Sequence, residues 1–455
     1  MRCPLRKLLL ISTLALVIGC AGASTKWGQF HGGLSSQGYQ SVESGFALSS
    51  AWTSEPYKIT SCSPVLGKDF EGKEVLYVGT TDAQLVAIDT EDGSQKWSRR
   101  FSGNGEIRIV SSPAVSEKGD IYVITNREMS DGGVHSTLQK VDQFSIPRWS
   151  YRFPENGFTS GSPKILTAGN QTLIFVYVMV GGRKALQAEL FVLRDDQNQA
   201  ELLDRQRLVE CQYDITGSGP GLDNIFDFLD ATWDLIANFP VEFNVSVNPL
   251  PDNFVEPTPA IAINKERPLI AIADNLCSLG AYEWGGMKLS DLWSKAHDFK
   301  KHSSTVLLPN ELMVFGRNDG KVLAYDARTG VKMWEYDAGE PVLATPAASP
   351  SGQLIFVVSK SHIHVVSASD GTIIDDIKLP RKLGLLGQTH ASPAVTANRI
   401  YVSTGEMLTV SYDLKTRGHD TNFHGNGLSS VAVSGNGDVY AVGIDGKIRK
   451  YKGTK

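Results

Sequence analysis

Ala87 to Trp97 reads AIDTEDGSQKW, and Ala324 to Trp334 reads AYDARTGVKMW. Each stretch holds the end of an apolar run, a turn with Asp and Gly, and a tryptophan four residues after the glycine. Around them the chain repeats one pattern eight times, mostly at intervals of about 40–50 residues. Strand-forming repeats of that period indicate a ring or stack of sheets, such as a β-propeller.

Each repeat opens with a hydroxyl-bearing residue, usually followed by proline, and continues into a short apolar run. The openings are Ser63-Pro64, Ser112-Pro113, Ser162-Pro163, Thr258-Pro259, Ser304-Thr305, Thr345-Pro346, Ser392-Pro393 and Ser430-Val431. Proline has no N–H for a sheet ladder, so it suits the start or rim of a strand. The apolar runs predict strands that are covered on both faces, as in stacked blades.

The two ends of the chain predict how the ring closes. The last repeat stops at Ile448–Tyr451 without a fourth strand, whereas Phe46–Thr53 is a strand without a repeat of its own and carries Trp52. Pairing of these two segments would remove an exposed sheet edge. We therefore predict an all-β, eight-bladed propeller of four-stranded antiparallel blades over residues 26–455, closed by the N-terminal strand.

Two motifs carry a resemblance to a known family. The AxDxxxGxxxW pattern in both quoted stretches resembles the tryptophan-docking motif of the PQQ-binding-like (quinoprotein-like) propeller repeat family, and WGQFHG at residues 27–32 resembles the start of many members. The resemblance implies an eight-bladed propeller whose tryptophans dock between blades. We expect this of Trp52, Trp97, Trp149, Trp293 and Trp334; repeats three, seven and eight lack the tryptophan.

The N-terminus has the features of an export signal. Arg2, Arg6 and Lys7 precede a short apolar stretch, Leu8 to Ile18. Two cleavage sites remain open: a lipobox that makes Cys20 the lipid-bearing first residue of the mature chain, and the A-x-A site at residues 21–23. The first predicts a signal peptide at 1–20 and a lipoprotein on the outer membrane, facing the periplasm or the cell surface. The second predicts a soluble periplasmic or secreted protein.

One insertion interrupts the repeats. The spacing between repeats three and four roughly doubles, and residues 205–253 contain a predicted amphipathic helix. Its apolar face packs on the propeller rim or docks a partner, through Leu222, Phe226, Leu229 and Trp233. Asp223, Asp227, Asp230 and Asp234 lie on the opposite face.

Composition and motifs exclude several functions. The net charge is -5 without a basic patch, which argues against nucleic acid binding. The chain has no nucleophile elbow, P-loop or H-E-x-x-H motif.

Cys62, Cys211 and Cys277 are either buried thiols or include a Cys211–Cys277 disulfide.

Histidines give the weak ligand candidates. His302 and His390 occupy equivalent places before the inner strands of repeats five and seven, and with Arg381 or Lys382 they could bind an anion in the channel. His362 and His364 lie on one face of a strand and could hold a metal, although no third ligand is evident.

Three functions follow, in order of preference. The first is a monomeric, non-catalytic scaffold that binds an envelope or membrane protein and needs no cofactor; within the resembled family, the BamB-like lipoprotein of the outer-membrane β-barrel assembly machinery is similar. The second is a quinoprotein dehydrogenase using PQQ with calcium. This chain lacks the adjacent Cys-Cys pair of many such enzymes and shows no evident general base. The third is a propeller that binds a small ligand.

Overall fold

The structure, a computed structural model, describes residues 27–453 except 60, 130–133, 155–156, 169–170, 183–184, 210–257, 265–266, 275–277, 297–301, 381–388 and 423. These residues form eight sheets. The predicted eight-bladed β-propeller is therefore confirmed. Within the described part of the chain the helical structure is one 3₁₀ turn, Phe30–Gly32. No described helix has the length and apolarity needed to cross a bilayer.

The first four blades follow one another along the chain. Blade one contains Val65–Lys68, Glu74–Gly79, Gln84–Asp89 and Gln95–Arg100. Blade two contains Ile107–Arg108, Ala114–Val115, Ile121–Glu128, Val134–Val141 and Pro147–Arg152. Blade three contains Lys164–Ala168, Gln171–Gly182, Ala185–Asp195 and Ala200–Arg207. Blade four contains Ala260–Asn264, Arg267–Ala273, Ser278–Trp284 and Leu289–Ala296.

The other four blades include both contributions from the N-terminus. Blade five contains Val306–Leu307, Leu312–Gly316, Lys321–Asp326 and Lys332–Asp337. Blade six contains Ala347–Ala348, Leu354–Val358, His362–Ser367 and Ile373–Lys378. Blade seven contains Ala394–Thr396, Arg399–Ser403, Thr409–Asp413 and His419–Asn422, with Tyr39–Gln40 added in parallel. Blade eight contains Ala432–Val433, Val439–Val442, Ile448–Tyr451 and, as its fourth strand, Ser50–Thr53.

Ring closure follows the prediction. Ser50–Thr53 pairs antiparallel with Ile448–Tyr451, so the N-terminus supplies the strand that the last repeat lacks. The predicted helix with Leu222, Phe226, Leu229 and Trp233 lies outside the described residues. At the start of the predicted insertion, residues 205–207 still belong to the fourth strand of blade three.

Apolar packing between neighbouring sheets explains the continuous apolar runs. One cluster joins Leu76 and Val86 of blade one to Tyr440 and Val442 of blade eight. The same cluster includes Tyr401 of blade seven, and six other clusters join blades one to seven pairwise in the order of the ring. Each sheet is therefore covered on both faces, and its strands need apolar side chains at successive positions.

Tryptophans on the fourth strands contact the following blade. The indole Nε1 of Trp52 donates to the Thr90 carbonyl of blade one at 3.0 Å. Trp97, Trp293 and Trp334 make the equivalent bond to the carbonyls of Gln143, Ala327 and Ala368. Trp149 instead donates to the carboxylate of Asp195 at 2.8 Å. Blade six also lacks a tryptophan, contrary to the expectation, because its fourth strand reads IIDDIK.

The glycine of the repeated motif lies beneath the tryptophan of the preceding blade. Gly93 has φ +80°, and a Cβ built on it would lie 2.5 Å from the Trp52 ring. Gly330 under Trp293 and Gly371 under Trp334 are equally crowded. Two independent requirements, positive φ and close approach, therefore select glycine at this position.

The junction between blades eight and one contains buried charge. Lys450 of blade eight donates to the Thr90 carbonyl at 2.8 Å and pairs with Asp438 at 2.8 Å. Glu74 of blade one lies beside this pair. Burial and the nearby Asp438 carboxylate raise the pKa of Glu74 to about 7.

Alanine substitution at two glycines of blade one separates backbone strain from crowding. Gly72 has φ +77° with no atom within 4 Å of an added Cβ, whereas Gly93 faces Trp52. We expect Gly72→Ala to lower the free energy of unfolding by about 1 kcal/mol, from conformational strain alone. Gly93→Ala should cost about 2–4 kcal/mol, because overpacking adds to strain. Urea denaturation measures the free energy of unfolding of both variants. Equal losses would contradict the close contact between Gly93 and the Trp52 ring.

Removing the Glu74 charge should change the pH dependence of stability. The native state keeps this proton up to about pH 7, whereas the unfolded chain releases it near pH 4.5, so the wild type loses stability as the pH rises through this window. Glu74→Gln abolishes that loss. Its stability relative to wild type should rise between pH 5 and pH 8 by at most about 3 kcal/mol. Thermal unfolding at both pH values tests this, and a pH-independent difference would refute it.

Candidate functional site

A ring of buried hydroxyl groups surrounds the propeller axis. It consists of the opening residues of the eight repeats, here called the hydroxyl girdle: Ser63, Ser112, Ser162, Thr258, Ser304, Thr345, Ser392 and Ser430. The N–H of Ser63 donates to the Ser112 hydroxyl at 3.0 Å. The same bond runs from Ser112 to Ser162, Ser162 to Thr258, Thr258 to Ser304, Thr345 to Ser392 and Ser392 to Ser430.

The girdle also bonds the last blade to the first. The N–H of Ser430 donates to the Ser63 hydroxyl at 2.9 Å. The hydroxyls were missed as a set in the sequence, where the Ser-Pro pairs indicated only strand starts. The signal was present, because all eight openings carry a hydroxyl.

Residues Trp27–Gln40, here called the plug, run around the propeller axis and contact the inner strand of every blade. Backbone N–H groups of six inner strands donate to plug carbonyls at 2.7–3.0 Å: Leu66 to Trp27, Val115 to Gly28, Ile261 to Leu34, Leu307 to Ser35, Ala348 to Gln37 and Val395 to Gly38. On blade three the Gln29 side chain exchanges two hydrogen bonds with the Ile165 backbone at 2.9 Å. On blade eight the Gln40 amide donates to the Val433 carbonyl at 3.5 Å.

The plug lies near one end of the channel. It contacts each inner strand close to the turn that leads into the second strand. We call this end of the propeller the plug face. It carries the turns between the first and second strands and between the third and fourth strands of each blade. The opposite end carries the turns between second and third strands and the connections between blades, and is the connection face. The hydroxyl girdle lies three residues before the plug contacts, toward the connection face.

A buried lysine of blade three donates hydrogen bonds to the plug. Lys164 is fully buried, and its Nζ donates to the carbonyls of Phe30, at 2.7 Å, and of Gly33. The Lys164 Nζ also lies 5.7 Å from the centre of the Phe30 ring. Burial lowers the pKa of Lys164 well below its usual value. The lysine donates to two carbonyls of the plug. These carbonyls are buried backbone acceptors, which need a hydrogen-bond donor.

His31 of the plug is buried beside blade seven. Its Nε2 donates to the Pro393 carbonyl at 2.8 Å. Burial lowers the pKa of His31 to about 4, so the ring is neutral at physiological pH. Gly38 lies directly under this ring: an added Cβ would be 2.1 Å from Nε2, and φ is +61°. The plug is therefore packed against itself as well as against the blades.

His302 and His390, the predicted channel candidates, lie at blade boundaries on the connection side of the girdle. His302 is buried, donates from Nδ1 to the Asp274 carbonyl at 2.8 Å and packs edge-on against Phe315. His390 is half-buried, and its backbone N–H donates to the Gly427 carbonyl at 2.9 Å. These bonds serve blade contacts, and anion binding by the pair stays a prediction. Arg381 and Lys382 lie outside the described residues.

His362 and His364 lie side by side on blade six, with ring centres 5.7 Å apart. His364 contacts the hydroxyls of Tyr336, at 3.0 Å, and Ser359, at 3.2 Å. His362 contacts the Ser361 hydroxyl at 2.8 Å. The histidine nitrogens therefore engage hydroxyl groups, and carboxylate oxygens of Asp376 and Glu340 lie 3.4 Å and 3.8 Å from the Nδ1 atoms of His364 and His362. Among the described residues, no three His, Cys, Asp or Glu side chains are grouped closely enough to hold a metal ion.

The lack of a metal-ligand group among the described residues also bears on the quinone alternative. A quinone bound with calcium needs several carboxylate and amide oxygens around one cation. Among the described residues, no three His, Cys, Asp or Glu side chains form such a group, and six inner strands give backbone N–H groups to the plug. The described part of the propeller therefore presents no carboxylate cluster of the kind that would hold calcium beside PQQ.

Some predicted residues cannot be placed. Cys20, Cys211, Cys277 and the helix residues Leu222, Phe226, Leu229 and Trp233 lie outside the described residues. Cys62 is buried, and its thiol accepts the Gly79 N–H at 3.1 Å.

Replacing Lys164 tests its role in holding the plug. Lys164→Met keeps much of the volume but leaves two buried carbonyls without their donor, so we expect a loss of about 2 kcal/mol of unfolding free energy. Amide exchange in residues 27–40 should accelerate about tenfold or more, because the plug opens more readily. Lys118→Met, on an exposed turn, is the control. Unchanged exchange in the Lys164 variant would show that the lysine does not hold the plug.

The comparisons with known proteins agree with this architecture. No curated protein sequence matches the chain. The structure is similar to BamB from Moraxella catarrhalis, with 15% identity, 83% of this chain and 97% of that chain covered, and a TM-score of 0.49. It is similar to a europium-containing methanol dehydrogenase, with 12% identity, coverages of 92% and 89%, and a TM-score of 0.58.

A quinohemoprotein alcohol dehydrogenase from Comamonas testosteroni gives 12% identity, coverages of 94% and 79%, and a TM-score of 0.56. At these identities the two dehydrogenase structures show the fold alone. A family model described as outer membrane protein assembly factor BamB matches residues 49–181 and 290–449, which is more than half of the chain. The chain therefore belongs to this BamB family of PQQ-like β-propellers.

Proposed function

We propose that the chain is an exported, non-catalytic propeller scaffold that binds a protein partner in envelope assembly and is attached to the membrane through a lipid on Cys20. The observation that carries the scaffold function is the plug. An axis whose inner strands are bonded to the chain's own N-terminal segment is used for structure. Membership of the family of an outer membrane assembly factor supports the envelope role.

The connection face is the proposed partner surface. The connections between blades emerge there, and both attachment points of residues 210–257 lie on it, after the fourth strand of blade three and before Thr258 of the girdle. The predicted apolar side chains Leu222, Phe226, Leu229 and Trp233 belong to this segment. They supply the apolar anchors that a protein interface needs at its centre.

The dehydrogenase alternative has less support. Its structural neighbours share only the fold, and the described residues contain no group of three His, Cys, Asp or Glu side chains that could hold a metal ion. Adding PQQ and calcium to the purified protein separates the two functions. We expect neither a bound quinone chromophore nor alcohol oxidation. A stoichiometric chromophore with turnover would replace the scaffold proposal.

Partner binding is tested with two matched variants in the full chain. One replaces Leu222, Phe226, Leu229 and Trp233 by serine; the other replaces Asp223, Asp227, Asp230 and Asp234 by asparagine. After crosslinking in membranes, mass spectrometry identifies the captured proteins. The serine variant should lose an envelope assembly protein about tenfold or more, and the asparagine variant should retain it. Thermal unfolding checks that both fold. Equal capture by both variants would contradict docking through the apolar face.

A further inference from the structure

We propose that the plug face of the propeller lies against the membrane surface and contacts a zwitterionic phospholipid bilayer with a ring of exposed apolar side chains. This inference rests on the proposed lipid attachment at Cys20. It adds an orientation and a second contact, so that the connection face points away from the bilayer toward the partner.

The exposed large apolar side chains are not spread evenly over the molecule. Among the described residues, all of them lie on the plug face, in its turns, at the beginning of fourth strands or in the segment that leaves the plug. They are Phe46, Phe70, Phe144, Ile146, Leu202, Met287, Val331, Met333, Ile373 and Ile374. Met287 is 85% exposed and Phe70 is 65% exposed. Single exposed apolar residues are ordinary on a protein surface, so the observation to be explained is their confinement to one face.

The arrangement of these side chains suits a plane better than a protein partner. They occur on blades one to six around the rim, with one further residue, Phe46, beside blade seven. Phe70 of blade one and Phe144 of blade two form a pair with ring centres 5.3 Å apart. A protein interface has a contiguous apolar centre, whereas a bilayer meets every side chain that reaches one plane.

Charged residues of both signs accompany the apolar ones. Exposed Lys288 follows Met287 and exposed Lys332 lies between Val331 and Met333, whereas exposed Glu71 follows Phe70. Long basic side chains beside apolar ones reach phosphate groups while their neighbours enter the interface. The net charge of -5 argues against strong attraction to anionic lipid. Zwitterionic phospholipid is therefore the occupant that the charges favour.

The short chain between the predicted anchor and the propeller limits how far the plug can lie from the membrane. Trp27 is buried, and its carbonyl is bonded to Leu66 at the plug face. Six residues separate Cys20 from Trp27, and even a fully extended chain of that length spans only about 25 Å. A lipid on Cys20 therefore holds the plug within about 25 Å of the headgroups, and a bilayer against the plug face satisfies this limit.

Site-specific photocrosslinking in membranes tests the contact. p-Benzoylphenylalanine is placed in the full chain at Met287 or Ile374 on the plug face, and at Lys360, an exposed position on the connection face, as the control. After irradiation, phospholipid adducts are quantified by mass spectrometry. We expect about tenfold more adduct at Met287 and Ile374 than at Lys360. Equal yields, or protein adducts in place of lipid at Met287, would overturn the proposal.

A fatty-acid label distinguishes failure of this inference from failure of the anchor. Wild type and Cys20→Ala are labelled with a clickable fatty acid in the same cells. Label on wild type without lipid adducts means that the anchor is right and the face assignment is wrong. Adducts without label mean that the face assignment stands without the anchor, and absence of both refutes both proposals.

A charge variant provides a second measurement. Met287→Glu with Ile374→Glu changes only exposed side chains, so the fold should survive. With the crosslinker at Val331, this variant should give several-fold less phospholipid adduct, because acidic groups resist entry into the interface. An unchanged adduct yield at Val331 would count against a bilayer contact.

Discussion

The hydrogen bond from a blade's opening N–H to the opening hydroxyl of the next blade, made at seven of the eight junctions, is the constraint on which the rest of the propeller depends. Blades also meet through apolar packing, which is strong but has no direction, and at the rim through the indole N–H bonds of the tryptophans. The hydroxyl girdle fixes the height of each blade relative to its neighbour, because a bond of about 3 Å tolerates little sliding. The bond from Ser430 to Ser63 carries the same constraint across the joint between the last blade and the first.

The same junction is closed at the periphery by different chemistry. Ser50–Thr53 completes the last blade, and Trp52 packs on Gly93 and bonds to Thr90 of the first. Lys450 and Asp438 add an ion pair beside Glu74. The joint between the chain ends is thus held at its centre by the hydroxyl girdle and at its rim by the closing strand, Trp52 and the ion pair. Opening the joint requires the loss of both sets of contacts.

The N-terminal region links this closure to the proposed function. Between the predicted anchor and the closing strand, the chain passes through the plug and touches all eight inner strands. Tension on an anchor at Cys20 would therefore be carried by the whole ring, since Lys164 and the inner-strand N–H groups hold the plug. The architecture suits a protein with one face toward its anchor and the other toward a partner.

By itself, the sequence determined the number of blades, the closing strand and the position of Trp52, because these follow from a repeated local pattern and one missing strand. The path of the plug was decided only by the tertiary structure. Most of its contacts join backbone N–H and C=O groups, which every residue carries, so they leave no side-chain signature. Likewise, Ser63 and Ser112 are visible as hydroxyls in the sequence, but the bond between them exists only when blades 49 residues apart are brought side by side. The gathering of exposed apolar side chains on one face also depends on folding, because alternate turns of an antiparallel blade emerge at the same end.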